Sequence, residues 1–155
     1  MAHRNRLLIV QPYIPSYRVP LFSTLKQLLA ESGIHVAIAA PRASGSDAAR
    51  NDDLTDSFAD FLLEERHLSV GPRSIVFRSL RRTLHMFRPE FVVVEQAIKN
   101  LETLPLILRA SNPNKPSVAM WGQGRSYSTR QGHVAARLKQ ELTLRADWFF
   151  AYPPA

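Results

Sequence analysis

The chain has 155 residues, no cysteine and a formal net charge of +7. This length suits one domain that buries about 68–70% of its unfolded surface. Without cysteine, disulfides, thiolate nucleophiles and thiolate-bound metals are excluded. The apolar run near the N-terminus is too short for a signal-peptide core or a membrane span, so we expect a soluble cytoplasmic domain, at most peripheral on the inner face of the membrane.

The first predicted unit is a strand, a proline-rich loop and a helix. Leu7 to Val10 is an unbroken apolar run, which is typical of a parallel strand covered on both faces. A helix is predicted after Pro20, because apolar residues then follow helical spacing, at positions 21, 22, 25, 28 and 29. Ligands of open α/β sheets bind beyond the carboxyl ends of the strands, so we expect the chemistry of this unit between Gln11 and Arg18.

The middle of the chain is less regular. Ile34 to Ala40 predicts a second strand, and the small polar residues 43–53 predict either a mobile lid or a long surface connection. A short helix over 54–62 and an edge strand near 66–69 are expected to follow. Pro72 suits the first turn of a helix that we predict as far as Phe87.

The second half repeats the alternation of strand and helix. Further strands are predicted over 91–94, 117–121 and 147–152, with helices over 101–109 and 133–145. The pattern predicts an α/β fold, a Rossmann-like doubly wound parallel sheet with helices on both faces. Residues 1–155 are expected to form a single domain, without a transmembrane segment.

Charge is unevenly distributed along the chain. Residues 47–65 carry seven carboxylates and one arginine, whereas residues 66–88 carry six arginines and no carboxylate. A basic excess favours nucleic acid, an anionic membrane surface or a phosphorylated ligand, and a solvated helix face is the plain alternative. Arginine accounts for 16 of the 20 basic residues, and its forked guanidinium suits phosphate oxygens.

Several catalytic motifs are missing. The sequence has no phosphate-binding P-loop, no Gly-x-Gly-x-x-Gly after the first strand and no Gly-x-Ser-x-Gly elbow. The five histidines show no ligand spacing, so no metal site and no cofactor are predicted.

Polar and aromatic side chains follow three of the predicted strands. Together they form the rim that a hydroxyl-rich ligand needs. Glu95, directly after a buried strand, is the candidate catalytic residue, since a rim carboxylate can orient or deprotonate a hydroxyl. A solvated strand-end carboxylate is the alternative for Glu95, and core packing is the alternative for Trp121. The candidate substrate-binding residues are Tyr13, Ser16, Tyr17, Arg18, Gln96, Trp121, Gln123, Gly124 and Arg125.

At these loops the chain resembles the N-terminal half of a GT-B glycosyltransferase of the large retaining family 4, which includes many bacterial surface-polysaccharide enzymes. Three pieces carry the resemblance: LLIVQPYIPSYRVPLF at 7–22, RPEFVVVE at 88–95, and VAMWGQG at 118–124 followed by RADWFFAY at 145–152. The first loop is less glycine-rich than in many relatives, and Gln96 and Gln123 stand where relatives often have histidine. A proton-transfer role would then pass to Glu95 or be lost.

The resemblance implies a domain that binds a sugar or lipid-linked acceptor. A second Rossmann-like domain, in the same chain or in a partner chain, would bind the nucleotide-sugar donor, and transfer would retain configuration without a metal. The fragment alone is then expected to be inactive, whether it is a truncated chain or half of a split enzyme. The arginines of 73–88 are expected to contact an anionic membrane that carries the acceptor.

Two other classes of function are compatible with the sequence. The first is a non-catalytic Rossmann-like module that binds a nucleotide or phosphosugar through its arginines. The second is nucleic-acid binding, which only the net charge favours. Because aromatic residues are not interleaved with the arginines in any recognised motif, we expect no nucleic-acid partner.

Overall fold

A computed structural model of the chain describes residues 5–70, 73–96, 103–108, 115–122 and 133–151. Six parallel strands form one sheet, and an antiparallel hairpin stands beside it. The strands are β1 (Arg6–Val10), β2 (His35–Ala40), β3 (Phe61–Leu62), β4 (Glu65–Val70), β5 (Arg73–Arg78), β6 (Phe91–Glu95), β7 (Ser117–Gly122) and β8 (Trp148–Ala151). The helices are α1 (Val19–Glu31), α2 (Gly45–Ala48), α3 (Thr55–Phe58), α4 (Arg81–Phe87), α5 (Thr103–Leu108) and α6 (His133–Leu144).

The order of the sheet is β3-β2-β1-β6-β7-β8. Leaving out the hairpin, this is the doubly wound order 3-2-1-4-5-6, so the predicted Rossmann-like α/β fold is confirmed. The direction of winding reverses between β1 and β6, which pair side by side from Leu7↔Phe91 to Ile9↔Val93. Ligands of this class of sheet bind in the crevice at that reversal.

Both faces of the central strands are buried, as the unbroken apolar runs predicted. Leu8 and Val10 of β1 belong to one core cluster, with Val92 and Val94 of β6. Ile9 belongs to the other, with Phe22 of α1. The helices α4, α5 and α6 contribute to the first cluster, whereas α1 covers the second.

The last strand, β8, is covered on one face only, and here the prediction of a fully buried strand is wrong. Trp148 is 65% exposed and Phe150 is 51% exposed, whereas Phe149 between them packs against the core. At the start of β6, Phe91 is also exposed. Right-handed crossovers from β6 through β7 to β8 bring α5 and α6 to the same face of the sheet. The other face of β8 therefore receives little cover from the described helices, whereas Val93 of β6 and Trp121 of β7 pack against the cluster that α1 covers.

Helix α1 has the predicted position but a narrower apolar face. Phe22 is buried at 1% exposure, and Leu25 and Leu29 pack against the same cluster. Leu21 and Leu28, which we also placed in the buried stripe, are each 55% exposed. The helix ends at Glu31, and Gly33, two residues later, has a φ of +74°, which suits glycine.

The helix predicted from Pro72 to Phe87 is wrong over its first half. Residues 73–78 are strand β5, which pairs with β4 from Glu65↔Arg78 to Val70↔Arg73, and α4 begins only at Arg81. Glu65 and Arg78 are the register partners farthest from the connection between β4 and β5, and they also form a buried ion pair. Arg78 Nε lies 2.8 Å from Glu65 Oε2, and the two side chains are 5% and 9% exposed.

The polar segment 43–53 is tied to the loop that follows β1. The Ser16 amide donates to the Asp52 carbonyl at 2.8 Å, and Pro15 and Asp53 form an antiparallel bridge. The Ile14 amide donates to Thr55 Oγ1 at 2.9 Å. These bonds make the segment a structured cover over the first loop.

Candidate functional site

Gln11 anchors the carboxyl end of β1. Its side chain is fully buried, and its amide continues the ladder by donating to the Ala39 carbonyl at 2.9 Å. Its side-chain Nε2 donates to the Val10 carbonyl at 3.1 Å, and Oε1 accepts a bond from Arg18 Nη1 at 2.5 Å. A buried amide is stable only when such partners are present, so Gln11 holds Arg18 in one place.

Arg18 closes a 3-10 turn over Ser16–Arg18 that leads directly into α1. Its guanidinium carbon lies 5.1 Å from the centroid of the Trp121 ring and 5.8 Å from that of Tyr17. Both distances are in the cation–π range. The side chain is half-buried, and the bond to Gln11 uses only one of its N–H donors.

Glu95 and Trp121 come to the same place from the neighbouring strands. They are register partners at the ends of β6 and β7, so both side chains point to the face that α1 covers. The register of β1 and β6 ends at Ile9↔Val93, and continuing it by two residues sets Gln11 opposite Glu95. We call Gln11, Arg18, Glu95 and Trp121 the rim cluster.

Trp121 also belongs to the core. Its ring centroid is 6.4 Å from that of Phe22, and the side chain is half-buried. The core-packing alternative for Trp121 therefore holds in part, because Phe22 packs against the ring and the Arg18 guanidinium also contacts it.

Other predicted site residues lie elsewhere. Tyr13 is buried beneath the cover, where its hydroxyl accepts a bond from Arg50 Nη1 at 3.3 Å. Burial raises the pKa of Tyr13, against the lowering effect of the Arg50 hydrogen bond. Ser16 is exposed, and Tyr17 is 64% exposed beside Arg18.

Gln96 points away from the rim cluster. Its Nε2 donates to Thr143 Oγ1 of α6 at 2.6 Å, and its side chain lies so close to Gly122 that a Cβ there would come within 2.9 Å. This places Gln96 on the face opposite Glu95. Gln123, Gly124 and Arg125 lie outside the described residues, so their predicted role stays a prediction.

Our site prediction missed the anchoring role of Gln11 and the contact of Phe22 with Trp121. Gln11 carried a signal, because an amide directly after a buried strand needs partners from the neighbouring loop. Phe22 carried none, since nothing local distinguishes it from other core residues of α1. Among the described residues, no group of three histidines or carboxylates is placed to hold a metal ion.

Comparisons with known proteins return little. No family model matches the chain, and no curated protein matches it. A solved structure that matches is described as a lantibiotic response regulator, the N-terminal domain of the nisin resistance regulator NsrR. The match has 14% identity and a TM-score of 0.44, and it covers 99% of this chain and 89% of that one.

These findings contradict the glycosyltransferase prediction, since the matched structure is a regulator's domain and not a transferase. The resemblance to a GT-B domain, the retaining transferase activity and a role in polysaccharide biosynthesis are therefore wrong. So are the partners that followed from them: a glycan or lipid-linked acceptor, a donor domain and an anionic membrane. The match itself is too weak to give this chain a regulator's function.

The pieces that carried the resemblance explain the error. Each one contains an apolar strand and the residues next to it, at β1, β6, β7 and β8. Any doubly wound sheet needs short apolar runs ended by proline, glycine or polar residues at these places. The three pieces therefore indicated the α/β fold, which the structure has. They carried no information about a reaction. The membrane prediction also assumed a continuous arginine helix, half of which is the strand β5. No helix within the described ranges is long and apolar enough to cross a membrane.

Proposed function

We propose that the chain is a non-catalytic α/β module that binds a small phosphorylated ligand, a nucleotide or a phosphosugar, at the rim cluster. The observation that carries this proposal is the position of Arg18. Its guanidinium is held between the buried Gln11 amide and the Trp121 ring, at the crevice where the strand order reverses between β1 and β6.

Arg18 supplies what a phosphate needs. A guanidinium fixed in orientation loses little entropy when it binds, and its remaining N–H donors match two phosphate oxygens at once. The bond to Gln11 Oε1 and the stacking on Trp121 fix that orientation before any ligand arrives. Arg18 is also the N-cap residue of α1, whose N-terminal dipole favours an anion at the same place.

The neighbouring side chains suit the rest of such a ligand. Tyr17 is largely exposed and offers a ring face on which a base or sugar ring can stack. Glu95 is half-buried at the end of β6, where a carboxylate accepts hydrogen bonds from ligand hydroxyls. Glu95 is the lone carboxylate of the rim cluster and is not paired there with a second titratable group. The cluster therefore suits binding better than catalysis.

Calorimetry with matched ligands tests the proposal. AMP is compared with adenosine, and glucose 1-phosphate with glucose. We expect at least one phosphorylated member to bind at least about tenfold more tightly than its partner, because charged hydrogen bonds are worth about 1.5–3 kcal/mol. Arg18→Ala should remove that preference, and Arg18→Lys should restore only part of it, since lysine lacks the fork.

The control is Arg82→Ala, which removes an exposed arginine from α4 on the other face of the sheet. It should leave affinity unchanged. Trp121 fluorescence gives a second readout in the Trp148→Phe background, where Trp121 is the single tryptophan left of two. Equal binding of phosphorylated and unphosphorylated ligands, or equal losses in the Arg18 and Arg82 variants, would overturn the proposal.

A further inference from the structure

A second concave site lies on the opposite face of the sheet from Trp121. It is a groove of about 640 Å³ between α4 and α5, closed on its sides by the end of β5 and by the segment that enters β7. We call it the interhelical groove. Its size is in the range of pockets that hold small organic ligands.

The walls of the groove are mostly apolar. Leu80 and Leu106 are buried members of the core cluster on this face, and Leu84 packs against it. Phe77 is 38% exposed, and the remaining apolar walls are Pro105 and Pro116. An aliphatic or aromatic group of a ligand would lose water against these side chains, which favours its binding there.

The described residues that bring a charge to the groove are all positive. They are Arg78, Arg81 and Lys115, and no carboxylate of the described ranges lines it. Glu65 neutralises Arg78 through the buried ion pair. Arg81 is exposed, and within the described part of the chain it has no ion pair, so its charge is available to a ligand at the mouth of the groove.

From this combination we infer that the interhelical groove binds an amphiphilic anion, a molecule with an apolar body and one carboxylate or sulfonate group. The apolar body lies against Leu80, Leu84 and Leu106, and the anion faces Arg81. Because Arg81 is exposed, the anionic group keeps part of its hydration and escapes the large cost of burying a charge.

Three probes that share parts of this structure test the inference by calorimetry. Octanoate carries both the apolar body and the anion, octanol has the body alone, and acetate has the anion alone. We expect octanoate to bind about fivefold more tightly than octanol, as a charge-assisted bond to an exposed arginine allows. Acetate should not bind measurably.

Three variants connect the binding to the groove. Arg81→Glu should abolish the preference for octanoate over octanol, whereas Arg82→Glu, at the next position, which is also exposed but does not line the groove, should keep it. Ser79→Trp fills the groove from an exposed lining position and should weaken both probes at least about fivefold while circular dichroism stays unchanged. The inference is overturned if octanol binds as tightly as octanoate, if the Arg81 and Arg82 variants behave alike, or if Ser79→Trp binds octanoate normally.

Discussion

Asp53 shows how a single carboxylate orders the cover above the first loop. Its Oδ2 accepts the Ala43 amide at 2.7 Å and its Oδ1 accepts the Thr55 amide at 2.9 Å, so it joins both ends of the segment that contains α2. Burial alone would raise the pKa of Asp53, but the hydrogen bonds from Thr55 and Ala43 outweigh it and hold that pKa below its ordinary value.

This shift predicts a pH-dependent part of the stability. A group whose pKa is lower in the folded state stabilises the fold above its ordinary pKa of about 3.9 and loses that effect as the pH falls through the lowered value. Asp53→Asn cannot accept both amides, so we expect it to reduce the free energy of unfolding by about 1–2 kcal/mol at pH 7. Urea denaturation should show this difference shrinking below about pH 4.

Asp56→Asn is the matched control. Asp56 is paired with Arg42 at 2.8 Å, but both side chains are largely exposed, at 61% and 67%. Exposed pairs contribute little because water and salt screen them, so this variant should be nearly neutral at pH 7. A difference between Asp53→Asn and the unmodified protein that stays constant from pH 7 to pH 3 would contradict the role given to the Asp53 carboxylate.

Single residues of the rim were predictable only in part. Arg18 and Trp121 were predicted because Arg18 lies in the loop after the first apolar run and Trp121 ends a later one. In the structure the Arg18 guanidinium carbon lies 5.1 Å from the centroid of the Trp121 ring. Tyr13 and Gln96 follow strands in the same way, yet Tyr13 is covered by residues 43–53 and Gln96 turns to the other face. Position after a strand identifies the edge of the sheet, but the face and the cover depend on residues distant in sequence.

At the level of elements, β8 offers a test of one-sided burial. Phe149 packs against the core, whereas its neighbour Trp148 is 65% exposed. We expect Phe149→Ala to cost about 2–3 kcal/mol in the free energy of unfolding, somewhat less than for a fully buried phenylalanine. Trp148→Ala should cost under about 1 kcal/mol. Equal losses in urea denaturation would mean that both faces of β8 are covered in solution.

The elements that the sequence predicted well are those with a purely local signal. Strands β1, β2, β6 and β7 are short apolar runs bounded by proline, glycine or polar residues, and their predicted bounds agree with the structure to within about two residues. Residues 73–87 failed because their apolar positions satisfy the spacing of a helix. Strand β5 forms through pairing with β4, and that contact with another segment outweighs the local pattern.

On the scale of the whole molecule, the doubly wound order separates the two proposed sites. The rim cluster lies on the face that α1 covers, and the interhelical groove lies on the face that α4 and α5 cover. The buried central strands stand between them, and the described residues of the two sites have no side chain in common. Sites without shared contacts contribute independently to stability.

Independence gives a prediction for ligand-linked stability. A ligand at ten times its dissociation constant adds about 1.4 kcal/mol to the free energy of unfolding, which raises the melting temperature by roughly 3–6 °C for a domain of this size. AMP or glucose 1-phosphate, whichever binds, and octanoate should therefore each raise it, and together they should give about the sum. Arg18→Ala should remove the first increase alone, and Arg81→Glu the second alone. Scanning calorimetry measures all of these changes, and a variant that removes both increases would show that the two ligands share one site or that the sheet couples them.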